Sequence, residues 1–212
     1  MRIILAARER SLAEAWRHSM DGIDCVRLHH GSILDVECDA VVSPANSYGF
    51  MDGGIDLVYS QHFGWGVEDR LRQQIRDRHH GELLVGAAEL VETGNPVLPY
   101  LIAAPTMRVP MVLGPQTVNP FLATRAVLLL VKRGVFHSGD FAGERIAEHV
   151  QTIAFPGLGT GVGQVPVEIC ARQMHAAIEE FVLDLYPEPT SWAEASERHQ
   201  LLFLDRAWQP RG

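Results

Sequence analysis

Two glycine-rich segments about a hundred residues apart carry the chemistry available to this sequence. The first runs from Ser43-Pro-Ala-Asn46 into Gly53-Gly54-Ile55-Asp56, and the second is Pro156-Gly-Leu-Gly-Thr-Gly-Val-Gly163. Each follows a strand-like run and precedes a helix-like one, so each is placed to aim backbone N–H groups and a helix N-terminus at an anion. Two such loops facing each other grip a diphosphate. Better-known glycine signatures do not fit. Gly157, Gly159, Gly161 and Gly163 give no register of Gly-x-Gly-x-x-Gly, and no Gly-Lys-Ser/Thr triplet follows. Read from the residues alone, Asp56 also suits a helix-capping carboxylate. Asn46 equally suits a turn residue that hydrogen-bonds its own backbone.

The elements that must hold these loops are legible as alternating strands and helices. Arg2 to Ala7 is a short apolar run, and Ser11 reads as the N-cap of a helix turning Leu12, Ala15 and Trp16 inward. Cys25 to His29 alternates as a half-buried strand, whereas Ala40-Val-Val42 is continuously apolar, as in a sheet covered on both faces. Val67, Leu71 and Ile75 recur every four residues and predict an amphipathic helix from Gly66 to His79. Gly86 to Val91 and Tyr100 to Ala104 read as further strands, and Asn119-Pro120 opens a helix carrying Leu122, Val127, Leu130 and Val131. Thr152 to Phe155 runs as a strand into the second glycine loop. Pro166 then opens a helix with Val167, Cys170, Met174, Ile178, Phe181 and Leu185 on one face. Beyond Pro187, Leu201 to Leu204 is one more apolar run and a candidate edge strand. The pattern predicts an α/β fold, three layers α/β/α around a mixed, largely parallel sheet.

Composition narrows the partners. With 212 residues, nearly half of them apolar, the chain supports one full core, and a single domain over residues 1–212 is expected. A formal charge of -8 argues against nucleic acid, whose binding rests on clustered Lys and Arg, yet leaves a small phosphorylated ligand open because backbone dipoles can hold it. Cys25, Cys38 and Cys170 are odd in number and widely spaced, which fits reduced thiols. No cysteine or histidine cluster has zinc-ligand spacing, and no metal or cofactor is expected. The pairs His29-His30 and His79-His80 point in different directions from one strand or helix and read as surface or partly packed residues. Charge interrupts Met1 to Arg8 too soon for a signal peptide, and no apolar run approaches membrane-spanning length. A soluble, cytoplasmic chain with no membrane partner is expected.

In their order and spacing, Gly31-Ser-Ile33, Asp39-Ala-Val-Val42, Ser43 to Asn46, Gly53 to Asp56 and Pro156 to Pro166 resemble the macro domains, over about residues 31–181. Residues 187–212 then form a C-terminal extension. The resemblance implies binding of ADP-ribose or a close derivative, free or on an ADP-ribosylated protein. It also implies hydrolysis of an ADP-ribosyl ester, with a non-catalytic reader or sensor as the alternative. It implies that Asn46 and Asp56, ten residues apart, are catalytic: Asn46 fixes the distal ribose, and Asp56 holds a water directed at its anomeric carbon. The implied ligand-binding set is Ser32, Ile33, Ser43, Ala45, Asn46, Gly53, Gly54, Ile55, Pro156, Gly157, Gly159, Thr160, Gly161, Val162 and Gly163.

The sequence departs from the family pattern at four places. Ser32 replaces the aspartate that often meets the adenine amino group, and Ser43 replaces the first asparagine of Asn-Ala-Ala-Asn. Gly163 stands where an aromatic often covers the distal ribose, and Asp52 stands in place of glycine. Tyr48, Phe50, Met51 and Tyr59 are candidates for the missing stacking surface. His62 is a candidate for the rim, and Arg108, in the proline-bearing segment from Ala103 to Gly114, is expected in a salt bridge or in solvent.

Overall fold

The structure is a computed structural model describing residues 1–182, 184–185 and 188–204. Its elements are β1 (Arg2–Ala7), α1 (Arg10–Ser19), β2 (Val26–His30), β3 (Ala40–Ser43), α2 (Gly54–Phe63), α3 (Gly66–His79), β4 (Glu89–Glu92) and β5 (Tyr100–Ala103). They continue with α4 (Asn119–Arg133), α5 (Ile146–His149), β6 (Thr152–Phe155), α6 (Val167–Val182) and α7 (Trp192–Leu201). The six strands form one sheet in the order β2-β1-β6-β3-β5-β4, with every neighbouring pair parallel except β4 and β5.

Side-chain alternation explains the three layers. Along each central strand successive residues point to opposite faces. Ile3 and Leu5, Ala40 and Val42, Tyr100 and Ile102, and Ile153 and Phe155 face one core with Leu12 and Trp16 of α1, Val127 of α4 and Met174 of α6. The residues between them, Val41, Leu101 and Ala154, face a second core with Tyr59 of α2 and Val67, Leu71 and Ile75 of α3. Both faces are covered, which is why β3, β5 and β6 are buried throughout and mostly apolar. Full burial of a side chain such as Leu71 contributes about 2 kcal/mol.

Several boundaries differ from the sequence reading. Helix α1 starts at Arg10 with Glu9 at its N-cap, two residues ahead of the role expected for Ser11, because the Glu9 carbonyl accepts from the Ala13 N–H. Strand β4 begins at Glu89 rather than Gly86, since Gly86 takes a positive φ of 94° inside a turn. Helix α6 ends at Val182, and Leu185 lies beyond it, 57% exposed. Leu201 to Leu204 is not an edge strand: Leu201 ends α7 and the next residues form turns through bonds from Phe203 and Leu204 to the Gln200 carbonyl. Pro187, the expected start of the extension, and residues 205–212 lie outside the described residues. Among the described residues no helix is long and apolar enough to cross a membrane.

Candidate functional site

The parallel strands β1, β3 and β6 all end at one rim of the sheet, where this class of fold opens a crevice. The crevice is a cleft of about 550 Å³ bounded by both glycine loops. At the first loop, Gly53 is the N-cap of α2 and offers no side-chain cap, so the N–H groups of Gly54, Ile55 and Asp56 find no acceptor among the described residues. At the second, Gly159 takes a φ of 71°, which lets the chain double back so that the Val165 N–H reaches the Gly159 carbonyl. The N–H groups from Gly159 to Gly163 have no acceptor among the described residues either. Two sets of free donors therefore border one cleft.

The segment after β5 ties these loops together. Ala104, Thr106 and Ser47 continue the β3–β5 pairing through bonds to Ser43, Ala45 and the Arg108 carbonyl. The Thr106 hydroxyl donates to the Pro44 carbonyl at 3.0 Å, and Asn119 Nδ2 donates to the Thr106 carbonyl at 2.7 Å. Further on, the Leu113 N–H donates to the Gly163 carbonyl at 2.9 Å, so one segment spans from the first glycine loop to the second. Thr106, Met107 and Pro110 from this segment line the cleft. Arg108 does not; it makes a two-pronged ion pair with Glu82 at 2.6 and 3.1 Å and lies 5.5 Å from the Tyr48 ring centre.

Asp56 occupies the cleft floor. It is the third residue of α2, on the same inward face as Tyr59 and Ser60, and only 8% of it is exposed. Its Oδ1 accepts from the hydroxyl of Ser43 at 2.6 Å. Ser43 lies two residues beyond Val41 on β3, so alternation turns it toward the α2 layer. Burial raises the Asp56 pKa from its ordinary 3.8 to about 7, opposed by the Ser43 hydrogen bond and reinforced by the negative charge of Glu68. Asp56 is not the helix N-cap residue; that position belongs to Gly53. A carboxylate with a pKa near neutrality can take up or give a proton at physiological pH.

The structure brings together Ser32, Ile33, Ala45, Asn46, Gly53, Gly54, Ile55, Asp56, Pro156, Gly157, Gly159, Thr160, Gly161, Val162 and Gly163, all of which line the cleft. Ser43 is fully buried behind it and reaches the cleft through Asp56. The side chain of Asn46 is largely committed to its own turn: Oδ1 accepts from the N–H groups of Tyr48 and Phe50, and Nδ2 donates to the Phe50 carbonyl at 2.8 Å. One Nδ2 hydrogen is left for another partner. Of the stacking candidates, Phe50 lines the cleft, 45% exposed, with the Arg72 guanidinium 4.2 Å from its ring centre. Met51 and Tyr59 are instead core residues, Tyr48 lies outside the cleft wall, and His62 packs edge-on against Phe63. Asp52 is exposed at the cleft edge.

Sequence reasoning missed the run from Ala6 to Glu9, together with Leu12, on the far side of the cleft. The register of β1 against β6, with Leu5 opposite Phe155, carries that run beside Pro156 and Gly157. The available signal was the first βα turn itself, since crevices form at the carboxyl ends of parallel strands. Among the described residues Arg8 is the one Lys or Arg in the cleft wall, against Glu9, Asp52 and Asp56, so anion attraction there falls chiefly to backbone dipoles. Among the described residues, Glu144, Glu148 and His149 group ligand atoms within 4.8 Å of one another, and none of the three lines the cleft.

The sequence model of a family described as a Macro-like domain matches residues 13–187. An uncharacterized protein of Aquifex aeolicus is 34% identical over 157 residues, spanning 74% of this chain and 82% of that protein. A macro domain-containing protein of Caldanaerobacter subterraneus is 29% identical over 193 residues, spanning 87% of this chain and 91% of that protein. A solved structure of an Oceanobacillus iheyensis macrodomain, a glycine-to-valine mutant with ADP-ribose, shares the fold with a TM-score of 0.57 and 18% identity, covering 72% of this chain and 75% of the other. With the cleft at the strand ends and a match over most of its length, this chain belongs to the macro-like domain family.

Proposed function

We propose that the cleft binds ADP-ribose or a close derivative and hydrolyses an ADP-ribosyl ester, either on an acidic protein side chain or in O-acetyl-ADP-ribose. The observation that carries this reading is the pair of unpartnered N–H sets, at Gly54 to Asp56 and at Gly159 to Gly163, bordering one cleft. A diphosphate between them accepts hydrogen bonds from both without any lysine or arginine. A related fold holding ADP-ribose in a solved macrodomain structure agrees with this choice of ligand.

In the hydrolytic step on a glutamate- or aspartate-linked ester, a water oxygen bonds to the anomeric carbon of the distal ribose as the bond from that carbon to the ester oxygen breaks. The electron pair leaves with the carboxylate. The proton lost by the water passes to Asp56, with a ligand phosphate assisting, and the pKa near 7 suits that exchange. Asn46 contributes its remaining Nδ2 hydrogen to orient the ribose, and the geometry of its own turn holds it there.

A second reading, a reader that binds without turnover, is favoured by the commitment of the Asn46 amide to Tyr48 and Phe50. Single-turnover release of ADP-ribose from a mono-ADP-ribosylated glutamate peptide separates the two. The hydrolase reading expects release by the unsubstituted protein and a loss of about a hundredfold or more in Asp56→Ala. Tight binding of free ADP-ribose with no release from either ester class would leave the reader.

A further inference from the structure

Asp56 has two carboxylate oxygens, and the fold treats them differently. Oδ1 accepts from the Ser43 hydroxyl at 2.6 Å. The Ser43 oxygen in turn accepts from the Ala45 N–H at 3.3 Å, which directs the hydroxyl hydrogen away from the backbone and onto Asp56. Among the described residues Oδ2 has no hydrogen-bond partner, yet it is not among the buried polar atoms left without one, so it is the oxygen that reaches the cleft. Ser43 itself is fully buried at the end of β3, where its carbonyl accepts from the Ala104 N–H, so the strand pairing holds its backbone and the bonds to Asp56 and Ala45 orient its hydroxyl.

We propose that Ser43 is the positioning residue of this site: its hydroxyl, held as a donor by the Ala45 N–H, pins Oδ1 of Asp56 and leaves Oδ2 as the single oxygen that exchanges a proton inside the cleft. The proposal rests on the reading of Asp56 as the acid-base group of an ADP-ribosyl hydrolase, and it names the residue that gives that group one working oxygen. When Asp56 is protonated, the proton sits on Oδ2 and faces the ligand; when it is ionised, the free lone pairs of Oδ2 face the attacking water.

The surroundings leave this task to Ser43. From α3, Glu68 contributes negative charge, and its carboxylate is occupied by the Met51 N–H at 2.7 Å and by Arg72 at 3.7 Å. From α2, the Tyr59 hydroxyl donates to the Val42 carbonyl and is kept neutral by burial. Cys38, just before β3, has its thiol pushed up to about 12 by burial. Asp52 is exposed at the edge of the cleft. Among the described residues Asp56 makes no ion pair, and the side chain that favours its charged form is the Ser43 hydroxyl.

The test is a carboxyl-carbon NMR titration of Asp56 in the ligand-free protein, for the unsubstituted chain, Ser43→Ala and Ser43→Thr. The midpoint in Ser43→Ala is expected about one pH unit or more above the unsubstituted protein, and Ser43→Thr, which keeps the hydroxyl, is expected to restore most of the shift. With an ester substrate, the acid limb of the single-turnover pH profile is expected to move by the same amount in Ser43→Ala. Equal Asp56 midpoints in Ser43→Ala and the unsubstituted chain overturn the proposal. If the alanine variant does not fold, the unsubstituted protein decides: the Ser43 hydroxyl proton is expected as a slowly exchanging resonance whose shift follows the Asp56 titration, and a freely exchanging hydroxyl overturns the proposal. Because the titration needs neither ligand nor turnover, a protein that shows the coupling but hydrolyses nothing refutes the hydrolase reading while leaving the Ser43–Asp56 coupling in place.

Discussion

Replacing Asp56 by asparagine removes the ionisation that the fold resists and keeps a carbonyl oxygen for the Ser43 hydroxyl. Below about pH 3 the carboxyl is largely protonated in both the folded and unfolded chain, and ionisation costs almost nothing. As pH rises, the unfolded chain ionises near the ordinary value of 3.8, while the folded chain holds its proton until about 7. A folded pKa raised in this way contributes stability that is present at low pH and lost as pH climbs to the folded value. The loss is about 1.4 kcal/mol per pH unit, so roughly 3 kcal/mol disappears between about pH 5 and about pH 7. Asparagine cannot ionise and escapes that loss. Urea unfolding of both proteins between about pH 5 and about pH 8.5 measures it as a difference, in which the titrating histidines common to both cancel. The stability of Asp56→Asn relative to the unsubstituted chain is expected to rise by about 3 kcal/mol over the window and then level off. A difference that stays constant would show that Asp56 ionises in the fold as it does in water, and the acid-base role assigned to it would fail.

Gly161→Glu places a bulky anion in the phosphate cradle at a position where an added Cβ meets nothing within 4 Å. Calorimetry is expected to find no ADP-ribose binding and differential scanning fluorimetry an unchanged Tm; retained affinity would mean that the loop does not face the ligand. Burial pushes the thiols of Cys38 and Cys170 up to about 12, whereas half-buried Cys25 is raised less. A thiol reagent near neutral pH is expected to modify Cys25 first and to reach the other two only on unfolding, as mass spectrometry of the labelled peptides will report.

Burial and periodicity made the frame legible. The apolar runs at Arg2 to Ala7 and Thr152 to Phe155 are β1 and β6, and the four-residue recurrence of Val67, Leu71 and Ile75 is α3 over its full length. Errors arose where local chemistry has two solutions. Ser11 has the right side chain for a cap, but the chain enters α1 two residues earlier and uses the Glu9 carbonyl. Leu201 to Leu204 has strand composition, yet Ser191 caps a preceding helix through the Glu194 N–H, which carries Leu201 into α7.

The glycine loops announced the cleft because few residues other than glycine permit such bare backbone. For the opposite wall the sequence offered only the first βα turn as a signal, because Ala6, Ala7 and Leu12 owe their place to the register of β1 beside β6, a long-range pairing that no local pattern encodes. The same limit applied to Ser43. It reads as a loop residue in the sequence, and only the packing of β3 under α2 makes it the partner of Asp56.

The central claim is that both glycine loops hold one diphosphate, and the affinity of the unsubstituted protein for ADP-ribose compared with AMP tests it most directly. AMP offers one phosphate and can satisfy only part of the two donor sets. ADP-ribose places its second phosphate and distal ribose between them. Calorimetry is expected to show ADP-ribose binding at least about tenfold more tightly, roughly 1.4 kcal/mol. Equal affinity for the two, or none for either, would contradict the account.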